Sequence, residues 1–207
     1  MYKTEEEKFW AGKFGDDYIE RNNNTNLLAS NLSFFSKATR LMEKPVKCIE
    51  FGANIGMNIK ALKLLYPEMI NYGIELNKVA AETLGKQISP KRIFNCSVLD
   101  FCSNKKWDLV LTKGLLIHIN PNELTELYEK MVNACSRYLL IAEYYNPIPQ
   151  SVAYRGHANK LYKRDFAGEI LKLHSNFSLK DYGFVYKNDP NFPQDDITWF
   201  LMEKHKS

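Results

Sequence analysis

Residues 46–77 constrain this chain more than any other stretch. They run as an apolar strand (Val46-Lys47-Cys48-Ile49-Glu50-Phe51), a glycine turn (Gly52-Ala53-Asn54-Ile55-Gly56), an amphipathic helix and a second strand that ends in Glu75. Ile55, Ile59, Leu62 and Tyr66 recur at spacings that stack on one helix face, and Pro67 closes the helix. Units of this order build α/β proteins, and their glycine turn is where a nucleoside is gripped. Glycines let the backbone approach the ligand, the helix start offers free N–H groups, and a carboxylate about 20 residues on can accept both ribose hydroxyls. Glu75 lies 19 residues after Gly56. Read alone, the turn also fits a strand-to-helix connection that binds nothing; Glu75 in register favours the nucleoside.

The glycine pattern narrows the ligand further. A dinucleotide site wants G-x-G-x-x-G, so that a pyrophosphate sits on the helix end. Here the string is Glu50-x-Gly52-x-Asn54-x-Gly56, with an acid two residues before the first glycine. A carboxylate there repels a pyrophosphate and suits an ammonium group. The common adenosyl ligand with an amino-acid tail and no phosphate is S-adenosylmethionine.

Further strands are expected at 92–96, 108–112, 138–142, 179–186 and 197–203, with helical periods between most of them. Asn120-Pro121-Asn122-Glu123 reads as a helix start before Leu124, Leu127, Tyr128 and Met131, and Asp165 caps a stripe of Phe166, Ile170 and Leu173. Only ten residues, two of them Pro190 and Pro193, separate Tyr186 from Ile197, too few for a crossover helix, so the last two strands run antiparallel. The expected fold is a doubly wound, mostly parallel seven-stranded α/β sheet with a C-terminal antiparallel hairpin.

With 207 residues, 45% of them hydrophobic, the chain suits one globular domain; within it an N-terminal helical lid or cap at 1–45, a main α/β domain at 46–207 and, in the long connection at 144–164, a substrate loop are expected. The net charge of +4 on 28 basic and 24 acidic residues comes with no long basic run, which makes nucleic acid an unlikely partner and leaves room for an anionic small molecule. Cys48, Cys96, Cys102 and Cys135 form no C-x-x-C pair and read as reduced thiols of a cytoplasmic protein with no metal site. No signal peptide or membrane span is expected, and monomer and homodimer both stay open.

Three strings resemble class I S-adenosylmethionine-dependent methyltransferases: Ile49-Glu50-Phe51-Gly52-Ala53-Asn54-Ile55-Gly56, Tyr72-Gly73-Ile74-Glu75-Leu76-Asn77, and Trp107-Asp108-Leu109-Val110-Leu111-Thr112-Lys113-Gly114-Leu115-Leu116-Ile117-His118. Three more resemble a narrower group, the methylases associated with pseudaminic acid and related nonulosonic sugars. These are residues 9–22 (Phe9-Trp10-Ala11-Gly12 onward), Leu161-Tyr162-Lys163-Arg164-Asp165-Phe166-Ala167-Gly168-Glu169, and Phe192-Pro193-Gln194-Asp195-Asp196-Ile197-Thr198-Trp199-Phe200. The resemblance implies that Glu50 partners the methionine ammonium, Gly52, Ala53, Asn54 and Gly56 form the turn, Glu75 holds the ribose and Leu76 covers adenine. It further implies that Thr112, Lys113 and Gly114 line the methionine portion, and that Trp10, Tyr18 and Arg21 close over the cofactor. Where the family usually carries an acid after the third strand, this chain has Cys96-Ser97-Val98. Adenine recognition then falls to Ser97, to the backbone of Val98 and Leu99, or to Asp100.

Methyl transfer needs alignment and exclusion of water more than acid–base chemistry, and a base matters only for a hydroxyl or a protonated amine. His118, Glu143 and Tyr145 are the candidates, although a histidine between Ile117 and Ile119 also fits a structural role. Tyr144, Tyr154, Arg155 and His157 are the candidate substrate residues, Arg155 foremost, because its fork pairs with a carboxylate through two bonds. The same basic segment also reads as a solvated face. Glu5, Glu6, Glu7 and Lys8 read as a solvated helix start, and the aromatics after them as a lid or as side chains docked on the core. The expected activity is methylation of an oxygen or nitrogen on a small anionic substrate, a nonulosonic acid, its nucleotide-activated form or a precursor sugar. The rivals are a cofactor-binding regulator without catalysis and a methyltransferase acting on protein or RNA.

Overall fold

The computed structural model describes residues 2–21, 24–154 and 157–205, the side chains at positions 20, 21, 154 and 157–160 excepted. Seven strands form one sheet: β1 (Lys47–Phe51), β2 (Ile70–Ile74), β3 (Ile93–Phe94), β4 (Trp107–Lys113), β5 (Cys135–Glu143), β8 (Phe177–Val185) and β9 (Ile197–Lys204). Their order is β3-β2-β1-β4-β5-β9-β8. The first five run parallel, and β9 lies antiparallel to both β5 and β8, as the short proline-bearing connection requires.

Alternation along the strands sends side chains to two separate cores. Cys48, Leu109, Leu111 and Leu140 face Phe34 and Phe35 of α3 (Thr25–Ala38) and Leu62 of α4 (Met57–Leu65). Ile49, Phe51, Val110 and Ile141 face Leu127 and Met131 of α6 (Leu124–Ala134) and Ile170 of α7 (Phe166–Leu173). α3 is therefore a sheet-covering helix. The expected cap at 1–45 narrows to α1 (Glu5–Ala11) and α2 (Lys13–Arg21), because the buried rings of Phe34 and Phe35 tie α3 into the core at roughly 2–3 kcal/mol each.

Two expectations shift locally. The third strand is only two residues long: the chain turns after Phe94, where Cys96 N–H donates to the Phe94 carbonyl and the Asn95 amide donates to the Glu75 carbonyl at 2.8 Å. The expected substrate loop at 144–164 holds regular structure after residue 149. It folds into a two-stranded antiparallel ribbon, β6 (Gln150–Tyr154) and β7 (His157–Lys163), anchored where Leu161 and Val152 pack on the core. Asn120 caps as expected, accepting from Asn122 N–H at 3.1 Å, but a single 3₁₀ turn precedes α6. Asp165 caps α7 by accepting from Gly168 N–H at 2.9 Å. None of the helices among the described residues is long and apolar enough to cross a membrane. No cluster of three metal-ligating side chains occurs among those residues, and the four cysteines are unpaired.

Candidate active site

A cavity of about 440 Å³ opens at the carboxyl ends of the parallel strands. The turn after β1 forms one wall. Gly52 (φ 74°), Asn54 (φ 46°) and Gly56 (φ 83°) alternate in the left-handed region, so the chain reverses tightly into α4. A Cβ on Gly52 would lie 2.9 Å from Leu115 Cδ1, which fixes glycine there for spatial reasons as well.

Glu75 closes this wall from the end of β2. Its carboxylate accepts from Asn54 N–H and Asn77 N–H, both at 2.7 Å, and so ties the glycine turn to the start of α5 (Lys78–Leu84). Burial raises its pKa above the ordinary carboxylate value, with these N–H bonds opposing. Each oxygen keeps acceptor capacity for a hydroxyl.

Glu50 sits one layer behind. It is fully buried; Oε1 accepts from the Asn58 amide at 2.6 Å, and Oε2 has no hydrogen-bond partner among the described residues. Burial pushes its pKa up to about 8, against the Asn58 bond and the charge of Lys113. An orphaned buried carboxylate oxygen beside a cavity fits a cationic ligand group. Lys113, at the end of β4, lies over the Phe34 ring at 5.6 Å, and burial lowers its pKa while the Glu50, Asp195 and Glu143 charges oppose that shift.

The cap supplies the opposite wall. Trp10 packs edge-on against Tyr18, with centroids 5.2 Å apart, and lies 4.6 Å from the His118 ring. Asn77 holds the cap in place: its Oδ1 caps α5 through Ala80 N–H at 2.9 Å, and its amide donates to Asp16 at 2.8 Å. Lys187, Pro193, Gln194 and Asp195, between β8 and β9, also border the cavity, and Gln194 donates to Asn31 of α3 at 2.8 Å.

The expected cofactor residues Trp10, Tyr18, Gly52, Ala53, Asn54, Glu75, Leu76, Ser97, Val98, Leu99, Lys113 and Gly114 all border this one cavity, and so does His118. Glu50, Gly56 and Thr112 are not among the residues that border it: Glu50 is buried and bonded to Asn58, which does, Gly56 precedes α4, and Thr112 is buried. The side chains of Arg21, Tyr154, Arg155 and His157 lie outside the described ones. Sequence reasoning passed over Asn31 and Asn58, which carry no motif, gave Gln194 no role beyond its place in the string 192–200, and took Glu6 and Glu7 for solvated residues although both are buried.

Glu143, Tyr144 and Tyr145 are not among the residues that border the cavity. Glu143 is 2% exposed and accepts from the Thr112 hydroxyl and from Leu115 and Leu116 N–H at 3.0 Å, and from Ile117 N–H at 3.4 Å. It fastens the short turn Leu116–His118 that presents the histidine, so the side chain expected as a base is engaged by these donors. Burial raises its pKa to about 7, with the backbone donors holding it down. Tyr144 lies under Lys163 Nζ at 5.4 Å, and the Tyr145 ring packs beside Phe200. Glu143→Ala, which strands three buried donors and a half-buried one, is expected to cost about 3–5 kcal/mol in chemical denaturation. A base role predicts instead an unchanged midpoint with lost turnover.

No protein-family model matches the chain, and no curated protein matches it. Solved structures do. The chain is similar to the Burkholderia thailandensis 1,6-didemethyltoxoflavin-N1-methyltransferase, solved with 1,6-didemethyltoxoflavin and S-adenosylhomocysteine: TM-score 0.73 and 12% identity over 97% of this chain and 87% of that one. The Synechocystis magnesium protoporphyrin IX methyltransferase with bound S-adenosylhomocysteine gives 0.68 and 11% over 96% and 97%. A plantazolicin methyltransferase in complex with the same compound gives 0.67 and 13% over 97% and 94%. At such identities the likeness is one of fold, and the strand order completes it: the chain has the seven-stranded fold of class I S-adenosylmethionine-dependent methyltransferases.

Proposed function

We propose that the cavity binds S-adenosylmethionine and that the protein transfers its methyl group to an oxygen or nitrogen of a small molecule. One observation carries this reading: the acid-led glycine turn and Glu75 converge on a single cavity, with an unpaired buried oxygen of Glu50 behind it. A phosphate-free cation suits that electrostatics, and a pyrophosphate does not. When bound, the cofactor supplies an electrophilic methyl on a sulfonium that departs as a neutral thioether.

The chain's own residues hold and shield. Glu75 takes the ribose hydroxyls, Leu76, Val98 and Leu99 give apolar faces for the base, and Glu50 with Asn58 orients the ammonium. The α1–α2 cap, with Trp10 and Tyr18, serves as the lid that keeps water from the reacting atoms. His118 borders the cavity beside Trp10 and takes the acceptor's proton where the acceptor is a hydroxyl or a protonated amine.

The acceptor we propose is a nonulosonic acid, its nucleotide-activated form or a precursor sugar. That part rests on the resemblance of residues 9–22, 161–169 and 192–200 to methylases associated with such sugars. Lys113 and Lys187 border the cavity and supply positive charge for an anionic substrate, and Arg155 remains the best partner for a carboxylate. Incubating the protein and methyl-labelled S-adenosylmethionine with extracts of cells that make nonulosonic acids is expected to label an acidic sugar, read by mass analysis. Label recovered in protein or RNA instead would favour the macromolecular rival.

A further inference from the structure

The first turn of α1 carries two buried carboxylates where a solvated helix start is expected. Glu6 and Glu7 are each 6% exposed, and both border the cavity. Glu7 is engaged at both oxygens. One accepts from the Ser97 hydroxyl, and the other accepts from the Lys3 and Thr4 N–H groups, the latter as half of a capping box with Thr4. Glu6 differs: Oε1 takes only a long 3.3 Å bond from the Tyr162 hydroxyl, and Oε2 is buried without a hydrogen-bond partner among the described residues. An acceptor desolvated in this way costs free energy until a donor reaches it, so the group that meets it should come from the ligand.

The donors of S-adenosylmethionine are few. They are the ammonium, the two ribose hydroxyls and the exocyclic amine of adenine; Glu50 and Glu75 account for the first two. The base end lies along Leu76, Val98 and Leu99, and α1 is fastened to that same segment. Ser97 donates to Glu7, while Lys3 Nζ donates to the Leu99 carbonyl at 3.2 Å and pairs with Asp100 at 3.0 Å. Glu6 therefore sits in the helical turn that covers the base slot.

We infer that Glu6 Oε2 accepts the exocyclic amine of adenine, so that base selection comes from the cap and not from the sheet. This rests on the reading that the cavity takes S-adenosylmethionine. Ser97 then needs no acceptor role of its own, because its hydroxyl holds Glu7 and, through Leu99 N–H at 3.0 Å, the backbone of the slot. Covering the cofactor and recognising its base become one event.

The test compares S-adenosylhomocysteine with S-inosylhomocysteine, in which a carbonyl replaces the amine and sets acceptor against acceptor. Calorimetry on the full chain is expected to show the adenosyl compound favoured by about tenfold or more. Glu6→Gln should collapse that preference severalfold, since an amide can turn its NH₂ toward the carbonyl. Glu6→Asp, which withdraws the carboxylate, should weaken the adenosyl compound alone. Glu7→Gln should weaken both compounds alike, by loosening the cap. An unchanged ratio in Glu6→Gln, or a ratio changed by Glu7→Gln in its place, overturns the assignment while leaving cofactor binding standing. Failure of the native protein to bind either compound removes the cofactor reading and this one with it.

Discussion

Glu75→Ala is expected to weaken S-adenosylhomocysteine binding by about a hundredfold or more. Two hydroxyls donating to one carboxylate are charge-assisted bonds, worth about 1.5–3 kcal/mol each, so losing both falls in that range. The structure adds a second consequence. The same carboxylate accepts from Asn54 N–H and Asn77 N–H, so alanine also frees the glycine turn from the start of α5 and should lower the melting temperature by several degrees. Glu75→Gln separates the two effects. The amide keeps the side chain's shape and one acceptor oxygen, but Asn54 N–H and Asn77 N–H bond to different oxygens, so one of them loses its partner; stability should return in part while affinity stays reduced. Calorimetry and thermal unfolding on the two variants check both halves. Wild-type affinity in Glu75→Ala would remove the ribose assignment.

Affinity for the cofactor should also rise with pH, by as much as about tenfold per unit between pH 6 and pH 8. Glu50 is the source: burial lifts its carboxyl from the ordinary 4.5 to about 8, so in the ligand-free protein it is largely protonated at neutral pH. A ligand ammonium favours the ionised form, and binding therefore expels a proton. Titrations at pH 6.5 in buffers of different ionisation enthalpy should register a release approaching one proton. Glu50→Gln should flatten the dependence, and a flat profile in the native protein would contradict the placement of the ammonium. Stability of the ligand-free protein carries the opposite sign. A carboxyl whose folded pKa exceeds its unfolded value keeps a proton that the unfolded chain releases, so its contribution falls as pH rises from about 4.5 to 8. Glu143, raised to about 7, acts in the same sense.

Much of the fold was legible because local pattern and global topology agree in this chain. The alternation of Cys48 against Ile49 and of Leu109 against Val110 already implies a sheet covered on both faces, and the prolines at 190 and 193 already exclude a helical crossover. The glycine turn was legible for the same reason, since its spacing is set by backbone geometry within one unit. What escaped depends on contacts distant in sequence. An acidic first turn ordinarily faces water, and nothing in residues 5–8 reveals that Ser97 and Tyr162 wait for Glu7 and Glu6. Glu143, at the end of β5, has the position of a base, yet its partners are the backbone N–H groups of a turn folded back from β4. The ribbon β6–β7 escaped because its apolar positions are sparse; Leu161 and Val152 are its described side chains that pack on the core.

The most direct measurement is a crystal structure grown with S-adenosylhomocysteine. It is expected to show the ribose hydroxyls on Glu75, the ammonium beside Glu50 and Asn58, and adenine between Leu76 and the Val98–Leu99 segment beneath α1. A cavity without the compound, or a preference for a ligand whose pyrophosphate lies on the turn from Gly52 to Gly56, would contradict it.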